Sequence, residues 1–321
     1  MENKFSSELE QKLESGSMLE LAPRSWIFVP AMRSDRFIKA LNSGADAVII
    51  DLEDAVDSAD KQQARDNVSS FLLGLEQDSQ QLSFLPHIWL RINNISDEPN
   101  NKGVANNEEA ATDKSEQRQA DIALCQQLLH TRKLAGVILP KVTTAKQVHE
   151  VSELLNCPVI AQIESALGMS NLADIVKTPE LKAISYGRLD IANELNLRAG
   201  SQAEHDFFVQ LRIQMLLASK VQRLLPPIES IYANFKDTDG MMAAARYASD
   251  LGFSGMLCIH PSQVAVVNQA FNATQAQLAF AKQVMTHYKQ TGESIFAIDG
   301  VMVDLPVILQ CQRLLESATP A

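Results

Sequence analysis

The residues best suited to chemistry stand at the ends of apolar runs. The stretch DAVIIDLEDAV (46–56) carries an apolar run directly into Asp51, Glu53 and Asp54. Carboxylates this close repel one another, and burying them is costly unless a cation or hydrogen bonds pair them. Arg91 follows the apolar HIWL, Lys141 follows GVILP, Glu164 closes PVIAQIE, and Asp190 stands just beyond AISYG. Two carboxylates such as Glu164 and Asp190, completed by waters and a chelating substrate, suit Mg²⁺. Each also has a plain structural reading. Glu164 could face the dipole of the helix that follows it, and Asp190 could cap IANELN. Spacing alone does not separate the two readings.

The guanidinium of Arg91 suits a carboxylate or an enolate oxygen. It equally suits an internal ion pair with Asp51 or Glu53. Both roles can hold together, with the acid cluster fixing Arg91 and hydrogen-bonding metal-bound waters, and Asp51 or Asp54 serving mainly to orient them. Lys141 is a further cation or else a surface lysine at a helix start. A Schiff-base role is weakened by the lack of an apolar lysine pocket. His260, ahead of Pro261, reads as a capping or hydrogen-bonding histidine, because a general base needs an orienting partner that the sequence does not identify. GxGxxG, P-loop and HExxH motifs do not occur.

The elements that must position these residues alternate along the chain. SWIFVP (25–30), AVIIDLE (47–53), HIWLRIN (87–93), GVILPK (136–141), PVIAQIE (158–164), AISYG (183–187), IESIYA (228–233) and GMLCIHP (255–261) read as strands, and helical patterns separate most of them. The first helices are SDRFIKALNSG (34–44), with Gly44 placed as a C-terminal cap, and 58–75, opened by a Ser or Asp cap. Continuous apolar runs suit a parallel sheet covered on both faces. Eight βα units in this length have the rhythm of an α/β TIM (β/α)8 barrel. A doubly wound sheet would announce itself by a glycine-rich first turn, and PAMRSDR has no glycine. In a barrel the polar residues named above converge on the C-terminal mouth, joined by Asn93 on strand three, Tyr232 and Asn234 on strand seven and His260 on strand eight.

The expected organisation is a flexible tail over 1–20, a barrel over 21–272 and a C-terminal helical extension over 273–321 that packs on a barrel rim, its own or a neighbour's. Residues 94–119 read as a mobile polar insertion. The methionines, Met256 and Met302 among them, read as core. The chain has 321 residues, with 46% hydrophobic and 21% charged, and a net charge of −11. An acidic surface disfavours nucleic acid as a partner. No apolar run reaches membrane-spanning length, and the polar N-terminus lacks a signal-peptide pattern. Cys125, Cys157, Cys258 and Cys311 are scattered among apolar residues and read as reduced core cysteines, so a cytoplasmic location is expected.

Seven separated segments resemble the citrate lyase beta subunit-like branch of the HpcH/HpaI aldolase superfamily. They are RSWIFVPAMRSDRFIKALNSGADAVIIDLEDAVDSADKQQAR, LRIN, GVILPKV, AQIESALGM, YGRLDIANELN, GFSGMLCIHPSQVAVVNQAF and DGVMVDLPVI, in consistent order over residues 24 to 317. The resemblance implies a TIM barrel, a homo-oligomer (trimer or hexamer), Mg²⁺ as cofactor and a carbon–carbon lyase. Its substrate would be a CoA thioester of citryl-, malyl-, methylmalyl- or citramalyl-CoA type, yielding acyl-CoA and a 2-oxo acid.

Residue by residue, the resemblance makes Glu164 and Asp190 the metal ligands and Arg91 the carboxylate-binding arginine. Asp304 of the MVD segment becomes the acid/base, often supplied by a neighbouring subunit. With the strand-end reading added, the expected site is Asp304, Arg91 and Glu53 as catalytic residues, Arg91, Asp51 and Lys141 as substrate-binding residues, and Glu164 and Asp190 on the metal. Arg33, Arg36 and Lys39 are cations that could meet CoA phosphates, or solvated helix charges. Alternatives in the same pocket are a malyl-CoA-type thioesterase, a CoA-free 2-oxo acid aldolase, and a non-catalytic subunit or ligand sensor. Several segments depart from the family pattern. PAMR stands where Pro-Gly is frequent, Met256 where lysine is common, GRLD lacks an acid before its aspartate, and IESIYANF replaces a frequent DG.

Overall fold

Eight parallel strands follow one another in sequence order and close on themselves. They are β1 (Ser25–Pro30), β2 (Ala47–Asp51), β3 (His87–Arg91), β4 (Gly136–Leu139), β5 (Val159–Ile163), β6 (Leu181–Tyr186), β7 (Ile228–Glu229) and β8 (Gly255–Cys258). β1 pairs with both β2 and β8, which seals the cylinder. The computed structural model describes residues 22–75, 86–94, 107–131 and 133–317, so the expected tail over 1–20 lies outside the described residues. The TIM barrel is therefore present as the sequence predicts.

Alternation along each strand divides the apolar residues into two sets. Trp26, Ala47, Ile49, Trp89, Ile138, Ile160, Ala183, Ile228 and Leu257 fill the barrel interior. Their neighbours, such as Ile27, Val48, Leu90, Val137, Ala161 and Ile184, pack outward against the helices. The helices of the barrel unit are α1 (Phe37–Leu41), α2 (Lys61–Gly74), α3 (Asn107–Leu129), α4 (Ala145–Leu155), α5 (Ala166–Ser170), α6 (Leu172–Ile175), α7 (Arg188–Glu194), α8 (Gln202–Val221), α9 (Thr238–Leu251) and α10 (Pro261–Phe271).

The chain divides into two compact units, with Pro23–Phe271 forming the barrel. The described part of the other is Ala22 and residues 272–317. It contains α11 (Gln275–Thr291), the antiparallel hairpin β9 (Phe296–Ile298) and β10 (Val301–Val303), and α12 (Leu305–Ser317). Ala281, Val284, Val303, Ile308 and Cys311 form its core. A capping box between Thr274 and Gln277 opens α11, and Gly292, at φ +73°, ends it.

Several sequence expectations need correction. The polar stretch 94–119 is not a loop throughout, because α3 begins at Asn107. Its Glu, Ala, Gln and Lys residues are good helix formers but lack the apolar period that would have revealed a helix. Residues 95–106 lie outside the described residues. The seventh strand is two residues long instead of the expected six. Pro226 and Pro227 ahead of it have no N–H to donate. Beyond it, side chains take over the backbone. The Ser230 hydroxyl accepts from Arg188 N at 3.2 Å, and Gln263 Nε2 donates to Tyr232 O at 2.8 Å. The expected Ser or Asp cap near residue 58 makes no side-chain capping bond, since a short 3₁₀ turn (Ser58–Asp60) leads into α2. Met302 is not core. It is 68% exposed, because the hairpin turns the neighbouring Val303 inward in its place. Met256 is buried as expected, as are all four cysteines, which are free thiols.

Candidate active site

Register assembles the first half of the mouth. Asp51 and Arg91 are direct cross-strand partners at the ends of β2 and β3. Their side chains meet fork to fork, Nε to Oδ1 at 2.8 Å and Nη2 to Oδ2 at 2.6 Å. Asp51 Oδ1 also accepts from Glu53 N at 2.9 Å. Asp51, 2% exposed, thus spends its oxygens on its neighbours and acts here as the orienting counterion of Arg91. The guanidinium lies 4.8 Å above the Phe28 ring. Burial alone would lower the pKa of Arg91, but the charge and hydrogen bonds of Asp51, with Glu53 and Glu164 beyond, raise it, so it stays charged.

Glu53 and Lys141 complete that wall. Arg91 Nη1 lies 3.5 Å from Glu53 Oε2, an oxygen that has no hydrogen-bond partner. The Lys141 amine bonds Glu53 Oε1 and, at 2.7 Å, Asp54 Oδ1. Lys141 holds φ at +51°, an uncommon conformation for a residue with a side chain. Burial pushes the Glu53 carboxyl up against the pull of Arg91 and Lys141. Burial acts on Asp54 in the same direction, yet hydrogen bonds from Glu53 and Lys141 hold it below its ordinary value.

Glu164 and Asp190 meet across Gly187. A Cβ on Gly187 would fall 3.1 Å from Glu164 Cδ and 3.2 Å from Asp190 Oδ2, so only glycine lets both carboxylates close on this point. Neither residue acts as a helix cap. Ser165 caps α5 by accepting from Gly168 N at 3.2 Å, which leaves Glu164 free of that task. The cap position of α7 is Gly187, and Asp190 lies inside the first turn without making a capping bond.

Glu164 is 5% exposed and its Oε2 has no partner. Burial pushes its carboxyl up to about 8, with Arg91 pulling the other way and Glu53 and Asp190 adding repulsion. A buried carboxylate oxygen with nothing to bind, beside a second carboxylate, fits a hard cation. No group of three or more His, Cys, Asp or Glu side chains among the described residues is arranged to hold a metal unaided. A cation here would take its remaining oxygens from water or substrate, which is the habit of Mg²⁺.

Sequence reasoning missed the residues behind this wall. Lys61, on α2, is buried and donates to Leu52 O, Glu53 O and Asn93 Oδ1 at 2.7, 2.8 and 2.8 Å. Asn93 in turn donates to Asp121 Oδ2 at 2.7 Å, and Asp121 Oδ1 accepts from Arg65 at 3.0 Å. The available signal was two cations, Lys61 and Arg65, inside the stripe Ala64, Val68 and Leu72 that α2 buries. Under β6 and β7, the Tyr186 hydroxyl bonds Glu229 Oε1, and Arg212 Nε donates to Glu229 Oε2 at 2.8 Å. That trio ties α8 to the strands that lead to Gly187 and Ser230.

The other expected residues make local contacts of their own. His260 Nδ1 is 2.7 Å from Ser262 Oγ and its ring stacks on Phe235, in keeping with a hydrogen-bonding role at a helix start. Arg33 pairs with Asp35 on the exposed first turn, and Arg36 and Lys39 are exposed. Asp304 belongs to the C-terminal unit, where its Oδ1 accepts from Val307 N at 3.3 Å at the start of α12.

The sequence model of the family described as HpcH/HpaI aldolase/citrate lyase matches residues 24–111 and 117–261. The chain belongs to this family. Among its relatives, a (3S)-malyl-CoA thioesterase of Cereibacter sphaeroides is 28% identical over 92% of this chain and 94% of its own length. A citrate lyase subunit beta-like protein of Mycobacterium tuberculosis is 29% identical over 94% of this chain and 98% of its own. Among solved structures, CitE from M. tuberculosis in complex with magnesium, acetoacetate and coenzyme A superposes with a TM-score of 0.71. It is 29% identical and covers 94% of this chain and 99% of its own. The carboxylate pair at Gly187 and the Arg91–Asp51 fork both lie within the segments matched by the family.

Proposed function

We propose that this chain is a Mg²⁺-dependent carbon–carbon lyase acting on a 3-hydroxyacyl-CoA thioester of the citryl-, malyl- or citramalyl-CoA type, releasing acyl-CoA and a 2-oxo acid. The observation that carries this reading is the unpartnered Glu164 Oε2 beside Asp190 at Gly187, facing the charge of Arg91. Its family supports it, as does the likeness to a CitE complex described with magnesium, acetoacetate and coenzyme A.

Glu164 and Asp190 would hold the Mg²⁺, which when bound supplies Lewis-acid polarisation of the 2-oxo acid carbonyl. Arg91 binds the 2-oxo acid and stabilises the oxygen on which negative charge develops, with Asp51 locking the direction of the guanidinium. Lys141 and Glu53 line the same wall, Lys141 offering a fixed positive charge to an anionic substrate. Asp304, by the family resemblance supplied from a neighbouring subunit, would serve as the acid/base. In the condensing direction it accepts a proton from the acyl-CoA α-carbon. The freed electron pair forms the bond to the oxo carbon, and the oxo oxygen takes up a proton. Cleavage runs the same steps backwards. The reading includes a homo-oligomer, a trimer or hexamer, in the cytoplasm, where four buried free thiols suit a reducing compartment.

The test is a Mg²⁺-supplemented assay of malyl-, methylmalyl-, citramalyl- and citryl-CoA, following 2-oxo acid and free thiol separately. Cleavage releases 2-oxo acid with the thioester intact. The 28% identical thioesterase favours a second reading, hydrolysis, which releases free thiol. Absence of any turnover, with Glu164→Ala indistinguishable from the parent in Mg²⁺ and 2-oxo acid binding, removes the proposal.

A further inference from the structure

The turn that carries Gly187 is held residue by residue. Gly187 N donates to Ile163 O at 3.0 Å, which fixes the turn to the end of β5 through the backbone. On the other side the backbone gives little. β5 and β6 share five register pairs, whereas β6 and β7 share one, Ser185 with Ile228. Side chains close the rest of that seam. The Tyr186 hydroxyl donates to Glu229 Oε1, and Arg188 N donates to Ser230 Oγ at 3.2 Å. Tyr186, Gly187 and Arg188 are thus each tied to a neighbouring strand or to the residue that follows it.

These contacts are buried and mutually fixed. Tyr186, Glu229 and Ser230 are all buried. Burial pushes the Tyr186 phenol well above its ordinary value, so it stays a neutral donor. Arg212 donates Nε to Glu229 Oε2 at 2.8 Å and Nη2 to Oε1 at 3.1 Å, a fork that fixes the plane of the carboxylate. Ile228 belongs to the barrel interior, so its neighbour Glu229 turns outward, toward α8. Glu229 therefore acts on the mouth only through Tyr186. α7 starts at Arg188, and its first amides have no partner within the helix. The Ser230 hydroxyl supplies one. Ile191 N donates to Gly187 O at 3.1 Å, so this turn sets the direction in which α7 leaves, with Asp190 in its first turn.

We infer that Glu229 and Ser230 are positioning residues of the metal site, setting through Tyr186 and Arg188 where Asp190 stands relative to Glu164. The inference rests on the proposed function, since it takes Glu164 and Asp190 to be the Mg²⁺ ligands. The segment IESIYANF thereby supplies through two side chains what a longer β7 would supply through its ladder. Groups that orient metal ligands from behind are typically worth about 10–100-fold in metal affinity.

The experiment is calorimetric titration of Mg²⁺ into the full-length, metal-free protein, at a temperature well below every variant's melt. Ser230→Ala removes the acceptor of Arg188 N. Tyr186→Phe breaks the link to Glu229 while leaving Glu229 both of its bonds to Arg212, so no buried charge is stranded. Each should raise the Kd for Mg²⁺ about tenfold or more. The control is Leu216→Ala, a loss of core packing on α8 outside the seam. It should lower the melting temperature of the metal-free protein yet bind Mg²⁺ as the parent does. Parent-like Mg²⁺ affinity in both seam variants overturns the inference while leaving the proposed function standing. So does an equal loss of affinity in Leu216→Ala, which would make the effect one of general stability. A parent that binds no Mg²⁺ defeats both.

Discussion

Arg91 and Asp51 sit directly opposite one another on adjacent strands, and two hydrogen bonds of 2.8 and 2.6 Å fix the guanidinium plane. A single guanidinium edge is thereby committed to the barrel wall while Nη1 is left toward Glu53. The pair is buried, so the partners matter to stability as well as to aim. Asp51→Asn leaves a buried cation short of its counterion, a change that costs about 3–5 kcal/mol. The expected result is a lower melting temperature and a kcat reduced about 100-fold or more, as for loss of one oriented electrostatic contact. Arg91→Lys should do much the same, since an ammonium cannot form the fork. Thermal melts and steady-state kinetics of both variants check this.

Gly187 is the narrowest point of the proposed metal site. In Gly187→Ala the new Cβ would stand 2.9 Å from Glu164 Cγ, so the Glu164 side chain must move away from Asp190. The expected outcome is a folded protein with weakened Mg²⁺ binding. Glu164→Gln and Asp190→Asn should abolish the rise in melting temperature that Mg²⁺ gives the parent through preferential binding to the native state.

The same site should respond to pH. Burial holds the Glu164 carboxyl protonated until about pH 8, against an ordinary value of 4.5. The metal-free native state therefore carries a proton that the unfolded chain has already lost. Its stabilising contribution is complete below 4.5 and disappears as pH rises through 8. Mg²⁺ competes with that proton, so its affinity should climb with pH and level off above 8. Calorimetry in buffers of different ionisation enthalpy should record about one proton released per Mg²⁺ at neutral pH.

Lys61 should prove a structural hub. Lys61→Met removes a donor shared by three acceptors, of which Leu52 O keeps Asn93 Nδ2 and Glu53 O keeps Val56 N. The partly buried Asn93 Oδ1 left without its donor costs about 1–3 kcal/mol. The expected effect is marked destabilisation by denaturant titration, with activity lost through displacement of Glu53. Lys61→Arg should restore little, because a planar fork cannot reach three acceptors arranged around a point.

What could be read from the sequence follows from which forces are periodic. Apolar, β-rich runs marked all eight strands, and strand ends led to Asp51, Arg91, Lys141, Glu164 and Asp190 because chain direction sets where a parallel barrel opens. The short β7 was not legible, since its pairing yields to Ser230 and Gln263, side chains whose partners are distant in sequence. Met302 looked like core because hydrophobicity says nothing about which face of a two-stranded hairpin is covered. The burial of Lys61 and Arg65 was not read from the sequence, because their partners Asn93 and Asp121 are distant along the chain. The role of Gly187 needed the side-chain positions of both Glu164 and Asp190.

The chain contains two tryptophans. Both lie inside the barrel, buried, with ring centroids 5.5 Å apart and planes tilted by 58°. All indole emission therefore originates from one sealed chamber below Arg91, without any surface background. Neighbouring chromophores at that separation and tilt couple their transitions, so the circular dichroism of the pair is a built-in optical gauge of whether the cylinder is shut. Loss of that signal ahead of the far-ultraviolet helix band would catch the barrel loosening before its helices melt.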